Sequence, residues 1–198
     1  MTHAEFWARF RQHEKRLRDL QANTDRFLGE LCEALGAVRE GLGVEISDEE
    51  HGIRDLMITA GGDATLFDEV KKLVAEAPLL PHWNFIALKP PRGFDFTLEL
   101  DGVCIAPSDL VFETLACSAT PSALGIRVFV PPQMLGEGGL EAVRKVIEIG
   151  LGEETAASSI DHLEIAAEPD STDQYIPLSD LEAYIEWFQK RSSSSPVS

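Results

Sequence analysis

Cysteine is scarce in this 198-residue chain, and the little there is forms no pattern. Cys32, Cys104 and Cys117 make an odd number with no C-x-x-C pair. That excludes a disulfide framework and a closed tetrahedral zinc set. Cys32 and Cys104 fall at apolar-patterned positions and are expected as small core residues. Long apolar runs are missing too, since none approaches the ~20 residues that cross a bilayer as a helix. The stretch Met1 to Phe10 carries Glu5 and Arg9 and lacks an apolar signal core. A reducing, cytoplasmic location is the expectation.

Positive charge is short. There are 17 Lys and Arg against 34 Asp and Glu, a formal net charge of −17. Residues 1–40 hold seven of each sign, so the entire acidic excess lies beyond residue 40. Such a body repels nucleic-acid phosphate and anionic lipid, so no nucleic-acid or membrane partner is expected.

Catalytic signatures are absent as well. Ser118, Ser122, Ser158 and Ser159 have no nucleophile elbow around them. Gly136-Glu137-Gly138-Gly139 opens a helix but lacks the Lys-Ser/Thr of a P-loop, and Glu137 would repel an anion. The turn Asp48-Glu49-Glu50-His51 does not follow the order of a calcium loop. No catalytic residue, metal ligand or cofactor is therefore assigned. One enzyme reading stays open, a small hydrolase or metal-dependent enzyme. It would use His51, His82 or His162 with carboxylates on the strands, among Glu45, Glu99, Glu113 and Glu164.

What is present is periodicity. Residues 3–41 carry apolar side chains at helical steps, from Phe6 and Phe10 through Leu17 to Leu31, Leu35 and Val38. Asn23-Thr24-Asp25 predicts a break and a new helix cap. This is an N-terminal helical arm, 1–42, whose near-heptad stripe could seat a partner helix or a second copy in a homodimer. Val44–Ile46 and Asp55–Ala60 read as strands. Thr65 is expected to cap a helix bearing Leu66, Val70, Leu73 and Val74.

The stretch Leu79 to Pro91 then organises the rest. A proline turn leads into an apolar strand headed by Trp83, and Pro90-Pro91 stops it because proline donates nothing to a ladder. Trp83 is expected to be buried across Leu73 and Ala77. Residues 94–100 alternate strictly, and Asp101-Gly102 predicts a two-residue hairpin into Val103–Ile105. Leu110–Cys117 and Ile126–Val130 read as a strand pair. A helix with Val143, Val146 and Ile147 follows, then a strand at Ile160–Ala167. Ser179 and Glu182 form a capping box for a last helix.

The body, 43–190, thus shows strand-strand-helix-strand twice, at 44–88 and 110–167, ahead of a polar tail, 191–198, expected to be disordered. The fold class is α+β, a mainly antiparallel sheet with helices on one face and an N-terminal helical arm.

One segment suggests a ligand site. Lys89-Pro90-Pro91-Arg92-Gly93-Phe94 places two cations and an aromatic in a proline-stiffened loop of an acidic body. Lys89 and Arg92 would attract a carboxylate or phosphate, and Phe94 would add an apolar face.

Phe6-Trp7 with Phe10, Leu80-Pro81-x-Trp83, Ile149-Gly150-Leu151-Gly152-Glu153, and Tyr175-Ile176-Pro177-Leu178 before Tyr184-x-x-Trp187-Phe188 together resemble a family of uncharacterised bacterial cytosolic proteins. The resemblance spans most of the chain and implies no activity, cofactor or site residue. The expected function is that of a non-enzymatic binding or adaptor protein, immunity-like or accessory, whose partner is another protein or a small anionic ligand.

Overall fold

The computed structural model describes residues 1–18, 24–47, 49–100, 103–115, 124–167 and 174–193. Helix α1 spans His3–Arg18 and α2 spans Thr24–Val38. Strands β1 (Gly43–Ile46) and β2 (Arg54–Thr59) follow, then α3 (Phe67–Ala75) and β3 (Trp83–Ala87). Strands β4 (Leu98–Leu100), β5 (Val103–Ile105), β6 (Val111–Leu115) and β7 (Leu124–Val130) precede α4 (Glu137–Leu151) and α5 (Glu153–Ser159). Strands β8 (Ile160–Ala167) and β9 (Ile176–Pro177) and helix α6 (Leu181–Ser193) complete the order. This is an α+β fold with an N-terminal helix.

Strands pair into three small sheets rather than one. The chain divides into two compact units, Met1–Lys89 and Pro90–Ser198, so helices α1 and α2 lie inside the first unit together with β1–β3.

In the first unit the sheet order is β1-β2-β3, with β1 antiparallel to β2 and β2 parallel to β3. A parallel neighbour demands a long crossover, which α3 provides. The 3-10 turn Ala64–Leu66 that leads into it is capped by Asp63 and not by Thr65: the Thr65 N–H donates to Asp63 Oδ1 at 2.9 Å, while α3 itself starts from Leu66 with no side-chain cap. The hydroxyl of Thr65 donates to the same oxygen at 2.7 Å, so the aspartate two residues earlier takes the capping role. Asn23, the expected cap of α2, lies outside the described residues.

Leu56 and Ile58 on β2 are fully buried. They share a sheet face with Phe85 and Ala87 of β3 through the register Leu56↔Phe85 and Ile58↔Ala87. Helix α1 covers that face with Phe6, Trp7 and Phe10, all buried. Phe10 meets Trp83 edge-on at 5.1 Å and Phe85 at 5.4 Å, and Trp7 meets Phe85 at 4.7 Å. Each edge-to-face pair contributes roughly 0.5–1.5 kcal/mol beyond its buried area.

Trp83 is buried, as its place at the head of the strand suggested, but against Phe10 and Phe85. Trp7 instead reaches α3, donating its indole N–H to the Leu73 carbonyl at 2.8 Å. The apolar stripe of α1 that suggested a dimer seam is thus buried inside the first unit.

The second unit repeats the connectivity. Strands β6 and β7 are antiparallel, α4 and α5 cross over, and β8 returns parallel to β7. Strand β9 adds antiparallel to β6, giving the order β8-β7-β6-β9. The strand-strand-helix-strand pattern therefore occurs twice, at the positions its periodicity indicated. Phe112, Ile126 and Val128 line the inner face with Val143, Val146 and Ile147 of α4 and Leu181 and Ile185 of α6, so both helices cover one face.

Strands β4 and β5 form a separate antiparallel ribbon with Leu100 opposite Val103. The hairpin residues Asp101 and Gly102 lie outside the described residues. The alternation from Phe94 does not all become strand. Arg92 and Gly93 donate their N–H groups to the carbonyls of Ile149 and Gly150 at the end of α4. That pins this segment to the helix, and the ribbon starts at Leu98.

Both described cysteines are exposed, against expectation. Cys32 lies on α2 away from buried Leu31, Ala34 and Leu35, and Cys104 alternates with buried Ile105 on the two-stranded ribbon. An amphipathic helix and a ribbon each leave one side to water, so sitting within an apolar pattern does not place a residue inside.

Candidate docking cleft

Among the described residues strand β3 is the last strand of its sheet, and its register decides which backbone groups it offers. The Arg54 N–H donates to the His82 carbonyl, and the Leu88 N–H donates to the Ile58 carbonyl. Even-numbered residues of β3 therefore face β2. Trp83, Phe85 and Ala87 turn their N–H and C=O groups the other way. The Trp83 N–H is taken by the Leu80 carbonyl at 3.2 Å. Among the described residues, no backbone group takes up the outward N–H and C=O of Phe85 and Ala87.

A cleft of about 530 Å³ opens beside the head of this strand. It is lined by residues 77–81 and by Trp83, Asn84 and Phe85. The wall owes its shape to Pro78 and Pro81, which bar helix and ladder alike. Leu79 at its crest is fully exposed at 102%. Beyond β3 the buried residue Leu88 adopts φ 63, a left-handed conformation that a bulky side chain rarely takes, and the strand stops there.

The loop residues proposed from the sequence fall in different surroundings. Lys89 belongs to the first unit, where its ammonium pairs with Glu45 at 2.7 Å. Arg92 and Phe94 belong to the second. Arg92 is exposed, with its backbone N–H held by Ile149. Phe94 is only 8% exposed and joins the core cluster of the second unit. Its ring lies where a Cβ on Gly150 would stand, 2.3–2.7 Å away. The glycine at 150 thus makes room for Phe94, and the aromatic packs inward.

Three further clusters carry charge. His3 on α1 places Nε2 2.8 Å from Glu69 and Nδ1 3.0 Å from Glu76, both carboxylates being near α3. Two carboxylate acceptors are matched by two N–H donors, so the arrangement favours the imidazolium, and the His3 pKa is raised, chiefly by the bond to Glu69.

On the outer face of the second unit's main sheet, Arg127 donates to Glu164 on β8 and to Glu113 on β6. The Glu164 carboxyl is held below the usual range, first by Arg127 and then by His162 at 3.4 Å. These groups spread across three strands of an open face and form a ladder of cross-strand pairs.

His82 Nδ1 donates to the Gly52 carbonyl oxygen, 3.0 Å away, beside the turn that holds His51. Gly139, from the glycine run that opens α4, is a close-packed position: a Cβ there would fall 1.6 Å from the Met134 carbonyl oxygen. No helix among the described residues is long and apolar enough to cross a membrane, and none of their His, Cys, Asp or Glu side chains group as a metal site.

No family model matches the chain, and no curated protein or solved structure does so either.

Proposed function

We propose that this chain is a non-enzymatic binding protein of the bacterial cytosol that takes up an extended segment of a partner protein along β3. The observation that carries this is the outward N–H and C=O groups of Phe85 and Ala87 next to the apolar cleft. An added strand satisfies those groups by ladder bonds, while alternate side chains of the guest enter the cleft. Exposed thiols at Cys32 and Cys104 suit a reducing compartment, and the bacterial setting rests on the resemblance noted above.

The test is selection from a displayed random-peptide library on the full chain, followed by comparison with Ala87→Pro. The Ala87 N–H makes no bond to β2, so proline removes an outward donor without breaking the ladder. Peptides that bind the wild type and lose Ala87→Pro, with its melting temperature unchanged, support the reading. Failure to enrich any peptide, or equal binding to both proteins, refutes it.

A further inference from the structure

Helix α1 grips both ends of the stretch 77–81 that lines the cleft, and one of its grips carries a titratable charge. That stretch has little backbone bonding of its own. Pro78 and Pro81 have no N–H to donate. Among the described residues its backbone bonds lie at the ends: the Ala77 N–H to the Val74 carbonyl at 3.0 Å, and the Leu80 carbonyl to the Trp83 N–H at 3.2 Å. Its position is therefore set by its flanks. On the β3 side, Trp7 and Phe10 of α1 pack edge-on against Phe85 and Trp83. On the α3 side, Trp7 donates to the Leu73 carbonyl, and His3 bonds Glu76. Glu76 caps the end of α3 and immediately precedes Ala77 of the lining.

We infer that His3 is a proton-operated clamp on the cleft: its imidazolium ties Glu76 to α1 and fixes the start of the 77–81 stretch, and loss of the proton frees Glu76 and lets that stretch move. For guest uptake the inference rests on strand addition at β3; for the cleft itself it does not.

The chemistry is that of one ring between two carboxylates. A neutral ring keeps a single N–H and turns a lone pair on the second carboxylate. The bond to Glu69 is the shorter, 2.8 Å against 3.0 Å, and Glu69 is 35% exposed where Glu76 is 56%. Glu69 therefore keeps the remaining N–H, and Glu76 is let go. Glu76 also stands at the C-terminal end of α3, where the helix dipole disfavours an anion, so it depends on the cation most.

The other charges nearby are engaged elsewhere or turned to water. Asp68, Lys71 and Lys72 on α3 are exposed, as are Arg39 and Glu40 beyond α2. Glu5 on α1 accepts from the Thr2 N–H, and the Met1 ammonium donates to the Ala37 carbonyl at the end of α2. The bonds to Glu69 first, and then to Glu76, raise the His3 pKa. The clamp is thus closed below the ordinary 6.5 and opens as pH rises through the folded value. A guest that prefers the fixed cleft binds more tightly on the acid side and in turn raises the His3 pKa further.

The experiment is an NMR titration of the full chain from about pH 5 to about pH 9, a range that spans histidine titration. The Ala77 and Leu79 amide resonances are expected to move with the midpoint of the His3 ring. In Glu76→Gln they should stop following it while His3, held by Glu69, still titrates. A glutamine can accept from the ring or donate to it, so that bond survives loss of the proton. His82→Gln, beside the cleft, should leave the response intact. Amides that ignore the His3 midpoint, or that still follow it in Glu76→Gln, overturn the inference, as does a response lost in His82→Gln.

A labelled, alternating Leu/Thr peptide, read by fluorescence anisotropy, tests the consequence for uptake. It should bind about fivefold more weakly above the His3 midpoint than below it, the difference vanishing in Glu76→Gln. Ala87→Pro should lose the peptide at both pH values. Equal affinity on both sides of the midpoint overturns the inference and leaves strand addition standing. No peptide binding at either pH, with the amides still following His3, removes strand addition and leaves the clamp.

Discussion

Gly150→Ala tests the packing that draws Phe94 away from any ligand role. The substitution sits in α4, where exchanging glycine for alanine ordinarily stabilises a helix by about 1 kcal/mol. Here the new Cβ would stand 2.3, 2.4 and 2.7 Å from three atoms of the Phe94 ring. A rigid ring that is 8% exposed in a filled core has little room to yield. Overpacking of this kind costs about 1–3 kcal/mol, and three contacts below 3 Å place it at the upper end. The net expectation is destabilisation by about 2 kcal/mol.

Phe94→Ala by itself should cost roughly 3–5 kcal/mol, as for other buried aromatics. In that background the clash is gone. Gly150→Ala should then be neutral or stabilising by up to about 1 kcal/mol, so its effect changes sign. Urea unfolding followed by circular dichroism on the four proteins of the cycle gives the coupling. Equal effects of Gly150→Ala in both backgrounds would refute the contact and put Phe94 elsewhere.

Two titrations follow from the ion pairs. His3 has its pKa raised above the ordinary 6.5 by Glu69 and Glu76, so its stabilising contribution is complete below pH 6.5 and is lost as pH rises through the folded value. His3→Gln should therefore lower the melting temperature at acidic to neutral pH and match the wild type at higher pH; a deficit that stays constant across that range would show that the charge plays no part. Glu164, held down by Arg127 and His162, should remain ionised below the usual glutamate range near 4.5 in an NMR carboxyl titration, and Arg127→Gln should move it back up. No movement on that substitution would mean that Arg127 is not its partner in solution.

How much was legible depends on the range of the interaction. Both strand-strand-helix-strand units could be read from the chain because each period is local. Strict alternation marks a strand, and the spacing of Val143, Val146 and Ile147 marks a helix face. Leu100 and Val103 pair across an antiparallel ribbon, while the Asp101-Gly102 turn lies outside the described residues. Composition settled the charge of the molecule.

Tertiary structure decided the rest. Residues 1–42 read as an arm because a helical stripe shows that something covers it and never what. The rings of Trp83 and Phe85 turn out to be that cover. Lys89, Arg92 and Phe94 are adjacent in sequence, and adjacency suggested a shared site. Glu45 claims the first and the gap at Gly150 claims the last, and both partners are distant along the chain. The edge of β3 was equally hidden. Which strand is last in a sheet follows from pairing order, and pairing order is a property of long-range closure that no local pattern encodes.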